Sequence, residues 1–174
     1  MMRPGCKNSA RKFSHRRPSV PPVAGRDGRP TTHRRGSDNV AEIRIIIAAH
    51  GPLASGFLAA AELVCGPLPN VAAITLEAAD SPESFGERLR AAMGDPNEPV
   101  LVLTDLRGGT PHNVACAIIR DHPRAALISG INLAIVIEAT TSLESLDDAA
   151  LDRLVAAGRD HLVPVRRLVA EPSP

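Results

Sequence analysis

Three side chains in this sequence have chemistry to offer: His50 within Ala49-His50-Gly51, and Asp105 and Thr110 within Asp105-Leu106-Arg107-Gly108-Gly109-Thr110-Pro111. A neutral imidazole is nucleophilic near its ordinary pKa of about 6.5 and needs no base to remove a proton first. That suits His50 to accept a phosphoryl group, a reaction that asks mainly for positioning and for stabilisation of charged oxygens. Asp105 is expected to hold one ring nitrogen so that the other faces the incoming phosphorus. The turn at Gly108 and Gly109 enters a helix with Thr110 at its cap. A hydroxyl, backbone amides and the positive end of a helix dipole would then sit where an oxyanion could use them. Gly51 leaves room for close approach. A lone histidine after a strand, or a glycine pair before a helix, is commonly structural. The two motifs carry weight only together, at neighbouring strand ends.

Those ends must be supplied by alternating strands and helices, the signature of an open, doubly wound, mostly parallel α/β sheet with helices on both faces. Ile43 to Ala48 is a β-branched run suited to a buried central strand. Leu53, Phe57, Ala60, Ala61 and Val64 recur at helical spacing, and Gly66 with Pro67 closes that helix. Val71 to Leu76 reads as a second strand. Asp80 and Glu83 are expected to form a capping box for a helix that buries Phe85, Leu89 and Met93. Pro99 to Thr104 is the third strand, followed by a helix from Pro111 to about Asp121 with proline in its first turn. Ala125 to Ser129 is a fourth strand, Leu146 to Ala157 a late helix, and Leu162 to Val165 a candidate edge strand. Ile131 to Thr140 fits either a strand or a short buried helix by its composition. In the flavodoxin-like strand order 2-1-3-4, His50 and Asp105 would lie across one crevice at the carboxyl ends of strands one and three.

Composition narrows the classes. The chain has 174 residues, 44% hydrophobic and 22% charged, which is enough for one compact domain. Three Phe and no Trp or Tyr leave no platform for stacking bases, so a single-strand nucleic-acid binder is not expected. Three widely spaced cysteines, Cys6, Cys65 and Cys116, without a CxxC or Cys/His pattern, argue against a disulfide framework or a metal site and fit a reducing cytoplasm. No apolar run approaches the roughly 20 residues of a membrane span.

The first forty residues differ from the rest. Arg3, Lys7, Arg11, Lys12, Arg16, Arg17, Arg26, Arg29, Arg34 and Arg35 stand against only Asp27 and Asp38, in a background of Pro, Ser and Gly. Residues 1–40 read as a basic disordered extension, residues 41–168 as the folded domain and 169–174 as a C-terminal tail. The extension fits a basic arm for nucleic acid or acidic lipid, an organelle transit peptide, or an upstream stretch outside the working protein. Val40 precedes the first strand and a valine codon can start a bacterial chain, which favours the third account.

No GxxxxGK[ST] loop, GxGxxG fingerprint or GxSxG elbow occurs, so nucleotide-dependent kinases, dehydrogenases and hydrolases lack their usual parts here. What is present, in order, is Ala49-His50-Gly51 with Leu53-Ala54-Ser55-Gly56, then Glu62 and Gly66. Leu103-Thr104-Asp105-Leu106-x-Gly108-Gly109-Thr110-Pro111-x-Asn113 follows, then Ser129-Gly130-x-Asn132-Leu133. Over roughly residues 42 to 168 this resembles the mannose-family enzyme IIA domain of the bacterial phosphoenolpyruvate-dependent sugar phosphotransferase system.

The resemblance implies a cytoplasmic phosphocarrier, usually a homodimer, with no cofactor or metal. The general carrier HPr would phosphorylate the histidine matching His50, which would pass the group to a IIB component and so, through the IIC and IID permease, to an entering sugar. It also implies that Asp105 pairs with that histidine, that Thr110 is the hydroxyl residue after the glycines, and that a helix occupies Ile131 to Thr140. His112 departs from the pattern, standing where the family commonly has Phe. Two rivals share the chemistry: the phosphocarrier subunit of a dihydroxyacetone kinase, and a regulatory module read by its phosphorylation state. The double glycine and Asn132-Leu133 lean toward sugar uptake.

Overall fold

A computed structural model describes residues 42–165. The proposed extension of residues 1–40 and the tail from 169 lie outside them. The described chain runs β1 (Arg44–His50), α1 (Leu53–Cys65), β2 (Val71–Leu76), α2 (Pro82–Met93), β3 (Val100–Thr104), α3 (Thr110–Ile118) with a 3-10 turn at Ile119–Asp121, β4 (Ala125–Ser129), α4 (Leu133–Ser142) and α5 (Asp148–Asp160). The four strands form one sheet in the order β2-β1-β3-β4, and every pairing is parallel. The order expected from sequence holds, and among the described residues the sheet is wholly rather than mostly parallel.

β1 and β3 are buried on both faces, which is why they read as continuous apolar runs rather than alternating ones. Side-chain alternation divides them between two cores. Ile45, Ile47, Ala49, Leu101 and Leu103 pack with buried residues of α1, α4 and α5, among them Ala54, Ala61, Val136 and Leu154. Ile46, Ala48, Val100 and Val102 meet Phe85, Leu89 and Met93 of α2 and Ala115 and Ile118 of α3 on the other face. Each large apolar side chain taken fully out of water contributes roughly 1.5–3 kcal/mol before entropy is counted. The two layers therefore hold the strand ends rigidly for the loops above them.

Four local expectations need correction. α2 is capped not by Asp80 and Glu83 but by Ser81, whose hydroxyl accepts from Ser84 N–H at 3.2 Å, while the Ser84 hydroxyl accepts from Ser81 N–H at 3.1 Å. Pro82 at the first helical position fixes that phase. The last helix starts at Asp148 because Asp147 caps it, accepting from Ala150 N–H at 2.8 Å. Thr110 is the first residue of α3, and Gly109 is the N-cap.

Leu162 to Val165 adds no strand. The chain turns at the end of α5, where Leu162 N–H donates to Arg159 O at 3.0 Å, and Pro164 has no N–H to give a ladder. The ambiguous Ile131 to Thr140 segment is helix α4, capped by the Asn132 side chain, which accepts from Ile135 N–H at 3.0 Å.

Candidate functional site

The winding direction reverses between β1 and β3, so the crevice of this sheet opens where those strands end. β1 runs two residues past its expected end at Ala48, so His50 is its last residue, and Asp105 is the first residue after β3. The even positions of β1 face α2 and α3, and His50 continues that parity. Its ring accordingly lies beside the start of α3.

His50 and Asp105 are joined twice. His50 Nδ1 lies 2.9 Å from Asp105 Oδ2 and 3.2 Å from Oδ1, and the His50 backbone N–H donates to Oδ2 at 3.1 Å. Leu106 N–H donates to Oδ1 at 2.9 Å. The carboxylate is 10% exposed and the imidazole 42%, so the acid is set into the fold while the ring reaches solvent. Burial pushes the Asp105 carboxyl up, but this is outweighed: the His50 ring, the His50 backbone N–H, the charge of His50 and the Leu106 N–H hold it below its usual value. An ionised carboxylate only accepts hydrogen bonds. The proton of a neutral His50 therefore sits on Nδ1, and the lone pair is on Nε2.

The Nε2 side of the ring faces the turn before α3. A Cβ at Gly109 would stand 2.8 Å from His50 Cε1 and 3.4 Å from Nε2, so glycine is required there for space, its φ of −70° being ordinary. Gly108, at φ +82°, is in the left-handed region that favours glycine, and lets the chain double back so that Gly109 N–H meets Leu106 O at 3.2 Å. Asn113, one turn into α3, pins the turn from behind by donating from Nδ2 to Gly108 O at 2.9 Å. Asn113 belonged to the motif, but nothing in its spacing disclosed that task.

The amides divide differently from the sequence expectation. Gly51 N–H is engaged with Leu76 O at 2.9 Å, and Gly109 N–H with Leu106 O. Gly51, at φ +52°, serves as the bend between β1 and α1, its own N–H spent on β2. The N–H groups left without an intrahelical partner in the first turn of α3 are those of Thr110 and His112, Pro111 carrying none. Thr110 is half-buried at that first position, next to the glycine that touches the ring.

His112 does not join the pair. Its Nδ1 meets Ser129 Oγ at 2.5 Å and its Nε2 lies 3.5 Å from Cys116 Sγ, so both ring nitrogens are engaged between α3 and β4. Ser129 in turn bonds Thr104, a fully buried hydroxyl in register with it across β3 and β4. The substituted histidine ties the end of β4 to α3. No sequence signal linked residues 104, 112 and 129, because the tie depends on the strand register.

No helix among the described residues is long and apolar enough to cross a membrane.

Comparison with known proteins fits this geometry. The family model described as the PTS system fructose IIA component (EIIA-man) matches residues 44–157. The mannose-specific EIIAB component of Escherichia coli K12 is 34% identical over 116 residues, covering 66% of this chain and 35% of that protein. The chain thus spans about a third of the length of that curated relative. The fructose-specific EIIA component of Bacillus subtilis is 30% identical over 106 residues, 60% of this chain and 73% of that protein. Among solved structures, the phosphotransferase system component EIIA of Streptococcus agalactiae superposes with a TM-score of 0.67 at 32% identity, covering 72% of this chain and 99% of the other. The mannose/sorbose-specific IIA subunit of Enterococcus faecalis does so at 0.66 and 30%, covering 76% and 97%. With the family model matched across both motifs and the four-stranded core, the chain belongs to the mannose-type EIIA family of sugar phosphotransferase systems, whose components transfer phosphoryl groups.

Proposed function

We propose that this chain is a phosphocarrier that accepts a phosphoryl group from phospho-HPr on His50 Nε2 and passes it to a IIB component, for uptake and phosphorylation of a sugar. One observation carries the reading: the largely buried Asp105 carboxylate accepts a hydrogen bond from Nδ1–H of a half-exposed imidazole, leaving the Nε2 lone pair toward the Gly108-Gly109 turn.

In the reaction Nε2 bonds to phosphorus while the bond from phosphorus to the donor breaks, and the donor leaves with that electron pair. The ring becomes cationic, its Nδ1–H stays on Asp105, and the carboxylate balances the new charge. Onward transfer is the same step reversed, with the acceptor as nucleophile. Asp105 orients the ring, while Thr110 and the first-turn amides of α3 stabilise the phosphoryl oxygens. Gly108 and Gly109 let that turn approach, and Gly51 bends the chain out of β1.

HPr and IIB as donor and acceptor, a IIC and IID permease downstream, the homodimeric state and a cytoplasmic setting are carried over from the family and are part of this proposal. So does a working unit formed by residues 41–168, with residues 1–40 as an extension dispensable for transfer.

The test supplies phosphoenolpyruvate, enzyme I and HPr and follows labelled phosphate into the chain and out to a candidate IIB. Wild type is expected to take up acid-labile label, and His50→Ala to take up none while keeping its circular dichroism. Acid-labile phosphate persisting on His50→Ala would refute the assignment.

A further inference from the structure

Phosphorylation leaves a charge to be answered at the crown of the sheet. Asp105 neutralises the cationic ring, but the phosphoryl group itself carries close to two negative charges near neutral pH. The loops leaving the carboxyl ends of the strands comprise residues 51–52, 77–81, 105–109 and 130–132. In them Glu77, Asp80 and Asp105 are acidic, and Arg107 is the single basic side chain. Arg88 of α2, which reaches the loop after β2, is committed: it pairs with Asp80 and donates to Thr75 O at 3.0 Å. Among the described residues Arg107 takes part in no ion pair, and it is exposed.

Arg107 is also well placed. The hydrogen bond from Gly109 N–H to Leu106 O makes residues 106–109 a β-turn with Arg107 and Gly108 at its centre, and the φ of +82° at Gly108 is what a type II turn needs at that position. Both flanks of the turn engage His50, Asp105 through Nδ1 and Gly109 against Cε1 and Nε2. Arg107 is two residues from Gly109, a span of at most about 7 Å, within reach of its own three-methylene stem. The turn is tethered at Leu106 N–H and at Gly108 O, which keeps its apex in place.

We propose that Arg107 is a catalytic residue of the transfer, its guanidinium contacting the phosphoryl oxygens as the bond to Nε2 forms and holding them in phospho-His50. This rests on the phosphocarrier reading. Arg107 exchanges neither proton nor electron; it supplies positive charge and N–H donors in a fork that suits phosphate oxygens. The alternative occupation for an exposed arginine here is docking of the donor protein, and the test separates the two.

Phosphoramidate is a donor too small to dock: its P–N bond breaks as the bond to Nε2 forms, and ammonia leaves. Purified wild type, Arg107→Ala, Arg107→Lys and Arg120→Ala, the last an exposed arginine at the far end of α3, are phosphorylated with it and followed by ³¹P NMR. Arg107→Ala is expected to react at least about tenfold more slowly than wild type, Arg107→Lys to recover part of the loss, and Arg120→Ala to match wild type. The ³¹P titration midpoint of phospho-His50 should also move to higher pH in Arg107→Ala, because the guanidinium favours the dianion. An Arg107→Ala rate within about twofold of wild type overturns the proposal, and slowing seen only with phospho-HPr assigns Arg107 to docking instead. If wild type takes no phosphate at His50 from either donor, the phosphocarrier reading itself fails and Arg107 falls with it.

Discussion

His50 and Asp105 share more than a side-chain pair: the same carboxylate oxygen lies 2.9 Å from His50 Nδ1 and accepts from the His50 backbone N–H at 3.1 Å. The acid is thus tied to both the ring and the chain of the residue it orients, across the β1–β3 boundary. Asparagine at 105 would keep the shape and lose the acceptor-only character, so its amide could turn either face to Nδ1. We expect Asp105→Asn to slow phosphoryl transfer by about 10–100-fold, the range typical when the partner orienting an imidazole is lost, with His50 still modifiable. Stopped-time labelling with phospho-HPr checks this, and unchanged kinetics would remove Asp105 from the mechanism.

Acid should erase the stabilising part of that contact. A carboxyl whose folded-state pKa lies below its unfolded value contributes stability above the unfolded value, 3.8 here, and loses it as pH falls through the folded value. The gap in urea midpoint between wild type and Asp105→Asn should therefore narrow as pH falls below that value. Asp80 and Asp147, also held low by hydrogen bonds, titrate in both proteins and cancel in the difference.

At Gly109 the constraint is steric. Alanine would put a methyl 2.8 Å from His50 Cε1 and 3.3 Å from Leu106 O, so the ring must leave Asp105 or the turn must shift. Transfer by Gly109→Ala should fall at least about tenfold, since a misplacement of 1 Å costs on the order of 10²-fold. The proton NMR signal of Nδ1–H offers a direct readout of the broken pair.

His112→Phe separates packing from chemistry. The imidazole is tied to Ser129 and Cys116 and not to His50, and its loss leaves the Ser129–Thr104 pair one partner short. Stability should drop by about 1–2 kcal/mol by urea denaturation. Transfer should stay within about threefold of wild type, because no reacting atom is touched.

Two helix glycines should respond with opposite signs. Gly56 in α1 has open space where a Cβ would go, so Gly56→Ala should stabilise by about 0.5–1 kcal/mol. A Cβ at Gly158 in α5 would collide with the Ile135 side chain, where α5 packs on α4, and Gly158→Ala should destabilise by about 1–3 kcal/mol. Thermal melts of both variants decide it.

The legible parts of the sequence were those set by burial and chain punctuation. β1 and β3 announced themselves because both their faces are covered, and the alternation of elements marked a parallel sheet; the order β2-β1-β3-β4 came from the common flavodoxin-like topology, which the sheet follows. The capping of α2 was misread because Asp80, Ser81, Glu83 and Ser84 offer overlapping boxes one residue apart, and only the position of Pro82 selects the phase. Leu162 to Val165 looked like a strand by its apolar content, but those side chains end exposed after the α5 turn. α4 was undecided by periodicity because apolar residues surround the helix, and the Asn132 cap that starts it was the overlooked signal. At the site, types and spacing marked His50, Asp105 and the glycines. Which nitrogen is free, which amides are spent and where His112 points were illegible, because each depends on turn geometry or on a distance between separate elements.

The nitrogen that carries the phosphate decides the central claim. Wild-type protein labelled with ¹⁵N in its histidine rings and phosphorylated through phospho-HPr should show phosphorus coupled to Nε2 of His50, with Nδ1 still protonated against Asp105. Phosphate on Nδ1, or on any residue other than His50, would contradict the account.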